Sequence, residues 1–125
     1  MRPLLVLSLA AVLAVMLDGS PARAQKAEVW REPGFRVEWT ADPPSRQRVT
    51  ISGYVYNERN DMVRYVQIRI QELDSSGAVI AQRYHTVVGD ILPGGRAFFT
   101  GWAPAGGAQY RISIGSFQQL GGGAS

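Results

Sequence analysis

The chain has 125 residues, a formal net charge of +3 and no cysteine. Its length predicts one domain, and the missing cysteines exclude disulfides, His/Cys zinc sites and lipid attachment at a cleavage-site cysteine. The arginines are spread along the whole sequence instead of being clustered, which is not typical of a nucleic-acid-binding protein.

Residues 1–24 have the features of a cleavable secretory signal. Arg2 supplies a positive charge, residues 4–17 are apolar apart from Ser8, and Ala-Arg-Ala ends the segment. Because the apolar run is shorter than the about 20 residues that span a membrane, we expect cleavage after Ala24; the alternative is an uncleaved anchor. The predicted mature protein has 101 residues and a charge of +2, contains no membrane span, and is periplasmic or secreted in a bacterium.

The first part of the mature chain predicts one strand. Residues 25–34 are mostly polar and are interpreted as a lead-in or a short edge strand. In residues 35–41, Phe35, Val37 and Trp39 alternate with polar residues, and this period of two is typical of a half-buried strand. Two prolines follow and end the strand, because proline cannot donate a hydrogen bond to a neighbouring strand.

Residues 49–77 predict two longer strands and a tight turn. Apolar residues alternate along one face of each strand: Val49, Ile51, Gly53 and Val55, then Val66, Ile68 and Ile70. The alternation breaks at Glu72 and Leu73. We expect a bulge that turns Glu72 outward and Leu73 inward, because a charged residue is almost never buried unpaired. Asp74 and Gly77 then predict a hairpin turn.

The rest of the chain predicts three more strands and no long helix. The strands span residues 78–87, 96–102 and 109–117, with a loop at 89–95 that brings two apolar residues toward the core and a flexible Gly-rich tail at 119–125. We therefore predict an all-β fold, an antiparallel immunoglobulin-like β-sandwich of six to seven strands over residues 35–118. Residues 57–62 form either a hairpin loop or a crossing between sheets. Immunoglobulin-like topology uses the crossing, which we favour.

Five short patterns follow one another along this domain. They are apolar-x-Gly-x-Val-x-Asn at 51–57, Val-x-Ile-x-Ile at 66–70, Leu-Asp-x-x-Gly at 73–77, Leu-Pro-Gly at 92–94 and Tyr-x-Ile-x-Ile at 110–114. In this order they resemble the FxLYD-type domains of bacterial exported proteins. The resemblance implies an immunoglobulin-like fold and no established activity, and it supplies no catalytic residue.

No set of residues forms a familiar catalytic or metal site. His85 is the single histidine and falls on a predicted strand, and no serine has the Gly-x-Ser-x-Gly context of a nucleophile. Asp61, Asp74 and Asp90 fall in predicted loops without the spacing of a calcium-binding loop, and we interpret them as turn residues. We predict a protein that is not an enzyme and that uses no cofactor or metal.

The aromatic residues outside the predicted core are the candidate functional residues. Five aromatic residues alternate with core positions on their strands and are predicted to face outward: Tyr54, Tyr56, Tyr65, Phe98 and Trp102. The candidate interaction surface consists of Tyr54, Tyr56, Tyr65 and Trp102. Such rows stabilise a small sandwich, contact another protein, or stack on sugar rings. We predict an exported, non-catalytic domain of the bacterial envelope that has a structural role or binds another envelope protein. The alternatives are a small carbohydrate-binding module and, less favoured, a minor hydrolase.

Overall fold

A computed structural model describes residues 27–120, which form seven antiparallel strands and no helix. The predicted signal at 1–24 and the last five residues of the predicted tail lie outside the described residues. The strands are β1 (Glu28–Glu32), β2 (Phe35–Ala41), β3 (Arg48–Asn57), β4 (Met62–Leu73), β5 (Val79–Thr86), β6 (Arg96–Pro104) and β7 (Gln109–Leu120).

The strands form a β-sandwich of two sheets. One sheet has four strands in the order β1-β2-β3-β6, and the other has three in the order β5-β4-β7. The chain therefore crosses between sheets after β3, as predicted for residues 57–62. Both sheets are antiparallel throughout, and the all-β sandwich predicted from the alternation is confirmed.

The core lies between the sheets and contains the alternating apolar residues. Every predicted inward position of β2 is buried, and so are those of β4. The core residues with less than 2% of their surface exposed include Phe35, Val37, Ile51, Val55, Val63, Val66, Ile68, Ile70, Ile91 and Ile112. β-branched residues dominate this set, since their side chains pack well on a pleated surface.

The two ends of the predicted domain differ from the structure. Residues 28–32, within the predicted lead-in, form β1, which pairs with β2 over its whole length from Glu28 to Glu32. The edge-strand alternative is therefore confirmed. At the other end β7 runs on to Leu120, which pairs with Met62, so Gln119 and Leu120 belong to the sheet and not to the tail.

The irregularity predicted at Glu72 is present, but the prediction that Glu72 points outward is wrong. Glu72 pairs with Ala81 and Leu73 pairs with Val79, so the extra residue of the bulge, Ile80, belongs to β5. Because β4 keeps its alternation, Glu72 stays on the inward side and only 6% of its surface is exposed. It packs at the end of the sandwich against the glycine-rich turn between β6 and β7.

Two turns depend on particular residues. In the predicted hairpin, Oδ1 of Asp74 accepts hydrogen bonds from the backbone amides of Ser76 and Ala78, and Gly77 has φ +90°. In the β2–β3 turn, Ser45 and Arg48 exchange two backbone hydrogen bonds, so residues 46 and 47 form a two-residue turn. Both of these residues have positive φ although neither is glycine.

Charged side chains bridge the two open sides of the sandwich. On one side, Oε1 of Glu32 in β1 accepts a hydrogen bond from the backbone amide of Ile114 in β7. On the other, Arg83 in β5 donates to the backbone carbonyl of Trp102 in β6 at 2.8 Å. These contacts occupy backbone groups at the edges of β7 and β6, where an unpaired strand would otherwise invite another chain.

Candidate interaction surface

The outer face of the four-stranded sheet carries three of the four candidate aromatic residues, namely Tyr54, Tyr56 and Trp102. We call outer face the strand residues of this sheet that point away from the three-stranded sheet. From the register these are Val29, Arg31, Arg36, Glu38, Thr40, Arg48, Thr50, Ser52, Tyr54, Tyr56, Arg96, Phe98, Thr100, Trp102 and Pro104. The face consists of aromatic and arginine side chains around a centre of small hydroxyl residues.

An aromatic cluster occupies the part of the outer face near the β3–β4 crossing. Tyr54 of β3 lies directly opposite Phe98 of β6, and their ring centroids are 5.5 Å apart in an edge-to-face arrangement. Tyr56 lies 6.3 Å from Tyr54. Both tyrosines are half-buried, whereas Phe98 is 55% exposed. Phe98 is therefore the most accessible ring of the cluster.

Arginine side chains cover the two tyrosine rings. The guanidinium carbon of Arg36 lies 3.8 Å from the ring centroid of Tyr56, and that of Arg96 lies 4.1 Å from the centroid of Tyr54. At these distances the cation is attracted by the negative face of the ring. The contact with a ring restrains both guanidinium groups, and their N–H groups can still donate hydrogen bonds.

Hydrogen bonds link the arginines through Tyr56. The hydroxyl of Tyr56 donates to Oε1 of Glu38 at 3.2 Å and accepts from Nη1 of Arg96 at 3.3 Å. Glu38 also pairs with Arg36 at 2.6 Å. The hydrogen bond to Tyr56, and the partial charges of the nearby phenol and carboxylate groups, raise the pKa of Arg96. Arg96 is therefore fully charged at every physiological pH.

Trp102 lies on the same face at its opposite end, near the β2–β3 turn. The guanidinium carbon of Arg48 lies 3.9 Å from its ring centroid and that of Arg83 lies 4.0 Å from it. Arg83 belongs to β5, in the other sheet, and reaches the indole around the edge of β6. Trp102 is half-buried between sheet and cations, so its ring is not an open stacking platform.

A shallow cavity of about 260 Å³ lies beside the aromatic cluster. Its lining includes the side chains of Tyr54 and Phe98 and the backbone around Gly53. At Gly53 a side chain would collide with β2, because an added Cβ would lie 2.7 Å from Cα of Trp39. The close approach of β2 and β3 at this glycine shapes the floor of the cavity.

Tyr65 does not belong to this surface, and its predicted grouping with the other three aromatics is wrong. It lies on β4, in the three-stranded sheet, at a point where the register with β7 shifts between Arg64 and Gln67. Its φ is +53° and its side chain is 63% exposed. Its neighbours are Arg64, whose guanidinium carbon lies 5.6 Å from the ring, and the loop that contains Asp90.

His85 lies on the inward side of β5, close to Gly101 of β6. Burial, and secondarily the charge of Arg83, lower its pKa below the usual 6.5. Within residues 27–120 no three His, Cys, Asp or Glu side chains are grouped so that they would hold a metal ion. The same part of the chain contains no helix that is long and apolar enough to cross a membrane.

Sequence reasoning missed the arginines, and it placed Phe98 among the outward aromatics without including it in the candidate interaction residues. Alternation predicts that Phe98 lies on the outer side of β6. The arginines, in contrast, occur far apart in the sequence. They meet only because β3 pairs with β2 on one side and with β6 on the other. Only Arg96 lies two residues from an outward aromatic, Phe98, so no local spacing in the sequence marks the group.

Comparisons with known proteins identify no family for the chain. No protein-family model matches it, and no curated protein matches it. A solved structure that is similar is a crystal structure, at 1.81 Å resolution, of a DUF1425 family member from Shewanella sp. pv-4. Its sequence identity is 9%, the alignment covers 74% of this chain and 91% of that chain, and the TM-score is 0.43. The resemblance to FxLYD-type domains therefore stays a prediction.

Proposed function

We propose that this protein is an exported, non-catalytic binding domain of the bacterial envelope, and that it binds another protein through the outer face of the four-stranded sheet. The observation that carries the proposal is the aromatic cluster of Tyr54, Tyr56 and Phe98 with Arg36 and Arg96 stacked on it. Tyrosine and arginine dominate the energetically important positions of protein interfaces, together with tryptophan.

Export is part of the proposal because of the signal-like sequence at 1–24. A domain without cysteine depends on its core alone for stability, and this core is continuous across both sheets. The FxLYD-type resemblance supports the same placement, since those domains occur in bacterial exported proteins. We propose that cleavage follows Ala24 and that the protein works in the periplasm or outside the cell.

Protein binding is favoured over sugar binding because arginine side chains cover the aromatic rings. A sugar-stacking platform needs a free ring face. Arg36 lies on the ring of Tyr56 and Arg96 on that of Tyr54. Trp102 is covered by Arg48 and Arg83. Phe98 is the exception, and it offers an apolar anchor of the kind that inserts into a protein partner. A hydrolase is disfavoured because His85 faces the side of the core and no outer-face serine contacts it.

The test is a crosslinking pull-down with the purified protein and native envelope extract. The variant Phe98→Ser removes the exposed ring, and Tyr84→Ser removes a ring of similar exposure, 48%, from the other sheet. We expect a specific envelope protein to be retained by the parent and by Tyr84→Ser and lost from Phe98→Ser, with all three folded by circular dichroism. Loss from Tyr84→Ser alone, or retention by all three, would contradict the assignment of the surface. A glycan array run in parallel is expected to be silent.

A further inference from the structure

We infer that the partner presents an acidic protein segment to the outer face, with its carboxylates against Arg96 and Arg48 and an apolar side chain against Phe98. This inference rests on the proposed protein-binding function and specifies the chemistry of the partner. It follows from how the fold distributes charge, which the sequence does not show.

Arginines lie on the outward sides of both sheets, whereas the acidic residues of the described chain lie almost entirely elsewhere. Residues 27–120 contain ten arginines and nine acidic residues. Four of the arginines point outward from the four-stranded sheet, namely Arg31, Arg36, Arg48 and Arg96. Glu38 is the single acidic residue among the outer-face strand positions. The face thus has a formal charge of +3, not counting Arg83 at its edge. The outward side of the three-stranded sheet also carries +3, from Arg64, Arg69 and Arg111, so the two faces differ in how their arginines are held and not in net charge.

Several of these cations have no acidic partner. In residues 27–120, Arg36 pairs with Glu38 and Glu58, but no carboxylate lies within 4.0 Å of Arg48, Arg83 or Arg96. Arg48 and Arg83 approach each other to within about 8 Å, since each lies within 4.0 Å of the same indole centroid. Within residues 27–120 none of the three forms an ion pair, and a carboxylate brought by a partner would supply one.

The arginines are held in place before any partner arrives. Arg96 stacks on Tyr54 and donates to Tyr56, and Arg48 stacks on Trp102. A guanidinium group that is already fixed loses less conformational entropy when it forms a paired hydrogen bond with a carboxylate. On the opposite sheet the guanidinium carbons of Arg69 and Arg111 lie farther from a ring centroid, at 6.0 and 5.6 Å, than those of Arg48 and Arg96, at 3.9 and 4.1 Å.

Phe98 favours a protein segment over a phosphate polymer. Its ring is 55% exposed and lies beside the cavity of about 260 Å³. A chain of phosphates would neutralise the arginines and leave this apolar surface in water. A protein segment that combines carboxylates with an aromatic or aliphatic side chain would cover both, and burial of apolar area contributes roughly 25 cal/mol per Å².

The experiment measures binding of the purified full-length protein to defined polymers by fluorescence anisotropy. The probes are a random glutamate–tyrosine copolymer, poly-glutamate of matched length, and polyphosphate. We expect the copolymer to bind most tightly, and its affinity to fall as salt is raised from 50 to 300 mM because exposed ion pairs are screened. Phe98→Ser is expected to abolish the preference for the copolymer over poly-glutamate.

Arginine variants test whether the acidic segment binds at Arg48 and Arg96. Arg96→Gln together with Arg48→Gln is expected to weaken copolymer binding about tenfold or more, which corresponds to about 1.4 kcal/mol. Arg69→Gln together with Arg111→Gln, on the opposite sheet, removes the same number of charges and is the matched control, which is expected to leave affinity unchanged. Arg96→Lys keeps the charge but loses the planar group, and an intermediate loss is expected. Thermal denaturation of each variant verifies the fold.

Three results would overturn the inference. They are equal weakening by the Arg69 and Arg111 double variant, which indicates unspecific attraction, tighter binding of polyphosphate than of the copolymer, and no copolymer binding at all. The proposed function is tested separately by the envelope pull-down. If a specific protein is retained through Phe98 but is insensitive to salt and to the Arg48 and Arg96 variants, the acidic-segment inference fails and the protein-binding function stands. If no specific protein is retained, the proposed function fails.

Discussion

The side-chain amide of Asn57 donates a hydrogen bond to the backbone carbonyl of Ile91 at 2.9 Å, inside a fully buried site. The same amide donates to the carbonyl of Asp61, and its oxygen accepts from the backbone amide of Arg59. Asn57 thus fastens the β3–β4 crossing and the β5–β6 loop to the end of β3, next to the aromatic cluster.

Replacing Asn57 with alanine should cost about 3 kcal/mol of unfolding free energy, because a buried donor or acceptor without a partner costs about 1–3 kcal/mol. Urea denaturation measures the difference. Asn60→Ala, at an exposed position of the same crossing, is the control and should cost less than about 0.5 kcal/mol. A similar small loss for both variants would show that the two loops hold their positions without this side chain.

Gly53→Ala should lower stability by about 2 kcal/mol or more. Its Cβ would lie 2.7 Å from Cα of Trp39, well inside the optimal carbon–carbon separation of about 3.5–4.0 Å, and backbone atoms of a paired strand cannot move aside. In Gly106→Ala the new methyl group would meet the flexible end of Glu72 at 2.9 Å, and a much smaller loss is expected. Guanidinium denaturation of both variants tests this, and equal losses would refute the close approach at Gly53.

Substitutions in the β2–β3 turn should increase the stability of the protein. Arg46 and Gln47 have φ values of 53° and 64°, which asparagine and glycine adopt far more readily in two-residue turns. Arg46→Asn with Gln47→Gly should therefore raise the unfolding free energy by about 1 kcal/mol, seen as a higher melting temperature. Ser75→Asn with Ser76→Gly, in the turn where Gly77 has the positive φ, should give no gain. A gain in that control would mean that backbone conformation is not the cause.

Stability should fall on mild acidification because of His85. Its pKa in the folded protein lies below the value of about 6.5 in an unfolded chain. The unfolded state therefore binds the proton first, and stability decreases as the pH falls below about 6.5 and on through the folded pKa. His85 is the single histidine, so His85→Gln should flatten the dependence of the urea midpoint between pH 7.5 and 5. An unchanged slope in this variant would assign the effect to other groups.

Local alternation predicted most of the fold but little of the surface. The strand at Phe35 and the inward residues of β4 follow from a period of two, which is a local property. The outward turn predicted for Glu72 failed because the bulge lies in β5, and the sequence of one strand does not reveal irregularity in its neighbour. For the same reason the grouping of Arg36 with Arg96 could not be predicted, since each depends on which strand lies next to β3.

The alternation along β3 has a consequence for how a partner would associate. Val55 is fully buried in the core, while its neighbours Tyr54 and Tyr56 form the outer face. Strands that are anchored in this way do not rearrange, unlike binding loops, so the domain offers a rigid template. Nearly all of the conformational entropy lost on binding would therefore be lost by the flexible acidic segment. A stiffer segment would lose less entropy and would bind more tightly.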